Sequence, residues 1–350
     1  NDAWDSKPVW SPDGKQIAFN STRDGGSVYE VDIFVMDADG TNVRQLTNND
    51  DLDRRPAWSP DGKQIAFESD RDGDRDIFVM DADGTNVRQL TNNDDWRPAW
   101  SPDGKQIAFN SRRDGDHEIF VMDADGTNVR QLTNNDDLDR YPAWSPDGKR
   151  IAYWQMDEEG VKEMHMINNV PGNYPQVVTF RYPKVGETNA RARVGVVSAN
   201  GGETTWVRVE GDPRNHYIAR MDWADNSKEL LLQRLNRLQN RNAVMIADAA
   251  TGKARTVYTD RDEAWIEVRF GFTDWVEDQF TYVSERAGWR QLYLVSREGD
   301  AKKVTRGKFD IIRMLKLDAA NGIAYFTASP KNATERYLYR ISLDGEGLKR

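Results

Sequence analysis

The 350-residue chain has no cysteine and only three histidines. Disulfide staples, thiolate metal sites and cysteine nucleophiles are thereby excluded, and the redox compartment is left open. Positive charge is in deficit: 48 Lys and Arg stand against 58 Asp and Glu, a net charge of −10. A nucleic-acid surface needs clustered cations, so neither nucleic acid nor an anionic membrane is an expected partner. No apolar run approaches the roughly 18 residues of a membrane span. The opening residues, Asn1-Asp2-Ala3-Trp4-Asp5, lack the basic-then-apolar order of a signal peptide. The chain therefore reads as a mature domain or a trimmed segment. Hydrophobic residues make up 38%, with twelve each of Trp, Tyr and Phe, enough to build a core and to set disorder aside.

A repeat dominates the first half. WSPDGKQIAF occurs identically at 10–19, 58–67 and 100–109, and returns as WSPDGKRIAY at 144–153. IFVMDADGTNVRQLTNNDD occurs identically at 33–51, 77–95 and 119–137, and segments 58–95 and 100–137 match at 34 of 38 positions. Within a unit, PAW is stopped by Ser-Pro-Asp-Gly, where Pro fixes φ and Gly accepts a positive φ. Next come a period-2 run, an Arg-Asp-Gly loop, DIFVMDA, an Asp-Gly turn and NVRQLTN. Four short antiparallel strands in roughly 42 residues, with no helical period, are the signature of one propeller blade.

Beyond residue 154 the anchor continues in degraded form, at ADNSKELLL, VEDQFTY and LDAANGIAYF. Anchors at Trp10, Trp58, Trp100, Trp144, Trp223, Trp275 and Leu317 predict an all-β, single seven-bladed β-propeller of four-stranded antiparallel blades. One propeller would fill 1–350, with blade 4 over about 140–212 and a projecting hairpin at 161–182. From Leu317 around to Trp10 through the two termini is 43 steps, close to one repeat. Side-by-side termini are therefore expected, with the last outer strand shortened at Arg350 where Leu-Thr-Asn would follow.

WSPDGKQIAF with IFVMDADGTNVRQLT resembles the repeat of TolB-type propellers, partner-binding domains of the bacterial periplasm, over about 1–153. Three near-identical blades fill 1–139 in this reading. The part from about 140 to 350, four further blades, resembles the propeller of dipeptidyl peptidase IV-like serine peptidases of the prolyl oligopeptidase class. The residues that carry this likeness are YPKVGETN at 182–189, LLLQRLNR at 230–237 with Gln239 and Asn240, and WRQLYL at 289–294. In that family a separate hydrolase domain holds the Ser-Asp-His triad and the propeller gates peptides. Here no Gly-x-Ser-x-Gly elbow occurs. The paired Glu that grips a substrate's N-terminus there would fall shortly before Trp144, where this chain has NNDDLDRY at 134–141. That grip is not carried over, and Asp157-Glu158-Glu159 is expected to tip the projecting hairpin instead.

The reading that follows is a non-catalytic scaffold, a recombined or engineered hybrid joined at a shared Trp-Ser-Pro-Asp-Gly motif. The alternatives are a TolB-type protein- or peptide-binding module and a gating fragment of a peptidase. No catalytic set, cofactor or metal is expected, and a monomer is. The parent families imply the periplasm or cell envelope. The Asp-x-Asp-Gly runs at 37–40, 81–84 and 123–126 lack the downstream ligands of a calcium loop and read as hairpin turns. The Asn-Asn-Asp-Asp clusters at 48–51, 92–95 and 134–137 read as solvated connections, with a cation near the channel mouth as the rival. Arg54, Arg55, Arg97 and Arg140 precede inner strands and are candidates to line the channel, or else to pair with neighbouring Asp. His117 and His216 are placed in loops and His165 in the hairpin, none with a metal or triad role. The anchor tryptophans are assigned to inner-strand packing. The triplets at Asn20 and Asn332 match a glycosylation signal by chance.

Overall fold

The structure is a computed structural model that describes residues 4–23, 30–169, 174–268, 274–330 and 334–350. Seven blade sheets follow one another along the chain, an all-β seven-bladed propeller fold with one short 3₁₀ turn among the described residues. The chain forms two compact units, Asn1–Val207 with blades 1–4 and Arg208–Arg350 with blades 5–7.

Blade 2 sets the pattern, with strands Arg54–Trp58, Gln64–Ser69, Asp76–Asp81 and Arg88–Gln89 hydrogen-bonded in that order. The Ser-Pro-Asp-Gly turn follows from its side chains. Ser59 Oγ donates to Asp61 (2.7 Å) and accepts from Gln64 N (2.9 Å), while Gly62 takes φ +70°. The second and third strands are buried, since blades cover both faces of a sheet inside the stack. In every blade the anchor pairs with the same second-strand position: Trp10 with Ile17, Trp58 with Ile65, Trp100 with Ile107, Trp144 with Ile151, Trp223 with Leu230, Trp275 with Phe280 and Leu317 with Ala324.

Two residues further along, the second and third strands carry a cross-strand pair that fills the middle of each sheet. It is Phe19–Phe34, Phe67–Phe78, Phe109–Phe120, Tyr153–Gly195, Leu232–Met245, Tyr282–Tyr293 and Phe326–Tyr339. Such directly opposed pairs are the unit of sheet stabilisation. Blade 4 shows the constraint: a Cβ on Gly195 would lie 2.7 Å from Tyr153 Cζ, so the larger phenol requires glycine opposite it.

Between the second and third strands of blade 4, Glu163–Asn168 and Gln176–Arg181 pair as a separate two-stranded sheet, mostly exposed. Asp157, Glu158 and Glu159 lie at its base, where the strand Arg150–Asp157 ends, and not at its tip. The expectation for those three residues is corrected: Asp157 is buried and pairs with Arg191 (2.9 Å), which holds it to the blade. In blade 7 only three strands form, and the fourth is reduced to a single bridge between Arg340 and Lys349. Asn1–Ala3 and Asn332 lie outside the described residues. Asn20 is buried in a strand, which removes it from any surface modification.

Candidate functional site

The polar residues singled out from the sequence converge on the seams between blades of the first unit. Each first strand carries a bulge, and at it a pre-proline residue holds a positive φ: Lys7 (51°), Arg55 (55°), Arg97 (57°) and Tyr141 (62°). Non-glycine residues rarely adopt that conformation. A hydrogen bond to the previous blade compensates it. Arg55 N donates to Asn20 Oδ1 (3.1 Å), Arg97 N to Glu68 Oε1 (2.8 Å) and Tyr141 N to Asn110 Oδ1 (3.2 Å).

The four arginines therefore lie within first strands and do not precede them, because pairing with the second strand begins earlier than the hydrophobic pattern. Their partners differ from one to the next, and one of them is an aspartate. Arg55 pairs with fully buried Glu68 (2.7 Å), Arg54 faces Asp70 (3.7 Å), and the Arg97 guanidinium lies 3.8 Å from the Tyr141 ring centroid. Arg140 Nε is buried with no hydrogen-bond acceptor among the described residues.

The anchors act as clips from one blade to the one before it. Trp58 Nε1 donates to the Val9 carbonyl (3.3 Å), Trp100 Nε1 to Ala57 (3.0 Å) and Trp144 Nε1 to Ala99 (2.9 Å). Trp10 departs from the packing role assigned to it. It is 55% exposed, since no earlier blade precedes it within its unit. Trp223 is half-buried, while Trp275 and Leu317 pack against the cores of the second unit.

A second device was missed in the sequence. Asp53 accepts Arg71 Nη2 at 3.0 and 2.9 Å, Arg71 Nε donates to Ser69 Oγ (2.8 Å), and the guanidinium sits over Phe67 and Phe78. Asp5, Ser21 and Arg23 repeat the latch in blade 1, and Asp95, Ser111 and Arg113 in blade 3. The signal was available, because the Asp precedes its Arg by 18 residues in all three. Blade 4 breaks it: Gln155 and Asp157 replace Ser and Arg, and Arg193 donates to Gln155 Oε1 (2.6 Å) instead.

Beside each latch lies a second buried acid, Asp32, Asp76 or Glu118, held by the hydroxyl of Thr47, Thr91 or Thr133. Burial pushes Asp76 up to about 6 and Glu118 up to about 8, against the hydrogen bonds they accept. Asp139 is also raised by burial, so the Glu118–Asp139 pair retains a proton.

The Asn-Asn-Asp-Asp clusters serve these seams: Asn49 Nδ2 donates to Asp53 (2.7 Å) and Asn135 Nδ2 to Asp139 (2.8 Å). The Asp-x-Asp-Gly carboxylates are consumed within their own turns, as Asp39 accepts both Thr41 N and Thr41 Oγ1. Among the described residues no group of three His, Asp or Glu is placed to hold a metal ion. His165 bonds Thr179 (2.8 Å) on the exposed hairpin. His216 is buried inside the strand His216–Trp223, a correction to its loop assignment, and His117 lies just before the strand Glu118–Asp123.

A family model for the dipeptidyl peptidase IV (DPP IV) N-terminal region matches residues 95–350. The chain belongs to this family. A TolB beta propeller domain matches 2–97, so the DPP IV N-terminal region model and the TolB model meet inside the first strand of blade 3. Both families thus contribute to this chain. A probable dipeptidyl peptidase 4 of Emericella nidulans is 25% identical over 183 residues, 48% of this chain and 24% of that protein. A dipeptidyl peptidase 4 of Trichophyton rubrum is 26% identical over 180 residues, 49% and 23%. The chain spans about a quarter of the length of these curated relatives. The crystal structure of Porphyromonas gingivalis dipeptidyl peptidase 4 superposes with a TM-score of 0.76 at 22% identity, covering 97% of this chain and 52% of that one. At that identity the likeness speaks for the fold.

Proposed function

We propose that this chain is a non-catalytic propeller scaffold, a recombined or engineered hybrid whose three near-identical blades continue into four peptidase-type blades. The observation that supports it best is the seam between blades 3 and 4. There the near-identical repeat meets the first divergent blade, yet Trp144 clips Ala99 and Tyr141 N reaches Asn110 in the geometry that joins blades 1, 2 and 3. A blade whose edges keep these donors and acceptors can accept any neighbour that keeps them too. Pure protein should then hydrolyse peptides no faster than buffer does. Reproducible turnover that follows the protein through purification would overturn the proposal.

A second reading is the gating propeller of a peptidase, separated from its hydrolase domain. It is favoured by the coverage of 97% of this chain against 52% of the Porphyromonas gingivalis enzyme. Sequencing the gene across residues 130–160 and beyond 350 separates the two, since a downstream hydrolase domain belongs only to the fragment.

A further inference from the structure

Blades 2 and 3 are nearly the same sequence, and their differences fall in one place. Across 58–95 and 100–137 the four changes are Glu68 to Asn110, Asp70 to Arg112, Arg75 to His117 and Asp76 to Glu118. All lie where the second strand of the blade turns into the third. In the first strand, Arg54 of blade 2 corresponds to Trp96 of blade 3 and to Arg140 of blade 4.

In blade 2 this corner supplies its own acceptor. Asp70 takes Leu52 N (2.7 Å) and faces the Arg54 guanidinium at 3.7 Å, while Arg54 Nε has no acceptor among the described residues. In blade 3 the same position is a cation. Arg112 Nε donates to His117 Nε2 (3.1 Å), which places the remaining imidazole proton on Nδ1. The rings of His117 and Trp96 are 4.8 Å apart, and the Arg112 guanidinium lies 5.5 Å from the Trp96 ring. Asp139 N donates to the His117 carbonyl (2.7 Å), which brings Arg140, the next residue, to the same corner.

Trp96 and His117 are 7% and 8% exposed, and Trp96 Nε1, His117 Nδ1 and Arg140 Nε are all buried without an acceptor among the described residues. An unmet buried donor is costly, and native proteins leave few of them. The charges of Arg140 and Arg112, after burial itself, hold His117 down to about 3, so the ring is neutral. Glu158, whose charge acts on Arg140, and Asp94, on which the charge of Arg112 acts, take no hydrogen bond from the three donors.

We propose that Trp96, His117 and Arg140, with Arg112 beside them, form a binding site for a carboxylate that replaces, from outside the chain, the acceptor Asp70 provides in blade 2. Two guanidinium groups give the charge, and the indole and imidazole N–H groups give direction. The inference stands apart from the scaffold reading and would hold for a fragment as well.

The test is a titration of the full chain followed by ¹H–¹⁵N spectra of the His117 imidazole and the Trp96 indole. The probes are acetate, a short peptide with a free C-terminal carboxylate, the same peptide amidated, and inorganic phosphate. Acetate and the free-acid peptide should shift both resonances saturably and raise the pH at which His117 titrates, while the amidated peptide should not. Replacing Arg112 by the residue blade 2 carries (R112D) should weaken binding about tenfold or more by restoring an internal acceptor. W96F should weaken it less and keep the fold. Tighter binding of phosphate than of either carboxylate would overturn the ligand class. Absence of saturable shifts with every probe, or unchanged affinity in a folded R112D, would overturn the site.

Discussion

In blades 1–3 an aspartate, a serine and an arginine lock together over a pair of phenylalanines, the aspartate buried in blades 2 and 3 and exposed in blade 1. In blade 6 the same trio, Asp260, Ser284 and Arg286, recurs over Tyr258 with a looser reach. Ser284 Oγ still donates to Asp260 (2.8 Å), but Arg286 Nε stands 3.6 Å away and its Nη2 turns to the Thr259 carbonyl (2.7 Å). The aspartate also comes from a different strand, the fourth of blade 5 rather than the first of the same blade. What endures between the two halves is the arrangement of groups at the blade corner, while the residues and spacing that deliver them drift.

The largest expected effect tests that difference. Arg71→Met leaves Asp53 buried without its cation, with the Asn49 amide still bonded to it, and should cost about 3–5 kcal/mol. Arg286→Met removes a longer, more exposed contact and should cost about 1 kcal/mol or less. Urea denaturation of both variants measures the gap, and equal losses would mean that the latch is no tighter in the repeated half.

Next is the acid pair at the seam of blades 3 and 4. Burial raises Glu118 to about 8, so folding favours its neutral form. The stability this contributes is complete below the unfolded value near 4.5 and is lost as pH climbs through 8. Wild-type melting temperature should fall over that window relative to Glu118→Gln, with a difference of roughly 2–4 kcal/mol across it. Parallel pH profiles would contradict the account of the pair.

Gly195→Ala probes the divergent blade. Its Cβ would meet Tyr153 Cζ and Thr204 Cγ2 at 2.7 Å, and overpacking of this kind costs about 1–3 kcal/mol. Combining it with Tyr153→Phe, which removes the hydroxyl bonded to Thr204 (2.8 Å) without clearing Cζ, should not rescue it. Rescue would show that the phenol oxygen, and not the ring, sets the fit. Trp58→Phe should have the smallest effect, about 1 kcal/mol, from the lost bond to Val9.

Blade number, strand type and the projecting hairpin were legible in the sequence because turn chemistry and period-2 runs are local. The anchor register was legible for the same reason, down to Leu317 with Ala324. Seam chemistry was only half legible. Asp53 and Arg71 keep a fixed spacing that the repeat displays, but nothing local states that Arg55 would turn to Glu68 or that its amide would cross to Asn20. Those contacts depend on a bulge and a positive φ ahead of proline, a conformation that local preference argues against. His216 was misplaced because its strand, His216–Trp223, begins seven residues before its anchor, with no turn signal between them.

The central claim is that a blade of one family accepts a neighbour of the other through the seam the repeat itself uses, with Trp144 on the Ala99 carbonyl as Trp100 is on that of Ala57. Urea denaturation of Trp144→Phe, at the junction, beside Trp100→Phe, within the repeat, addresses it directly. The account predicts similar losses of about 1 kcal/mol from the two variants. A loss in Trp100→Phe with none in Trp144→Phe would contradict it.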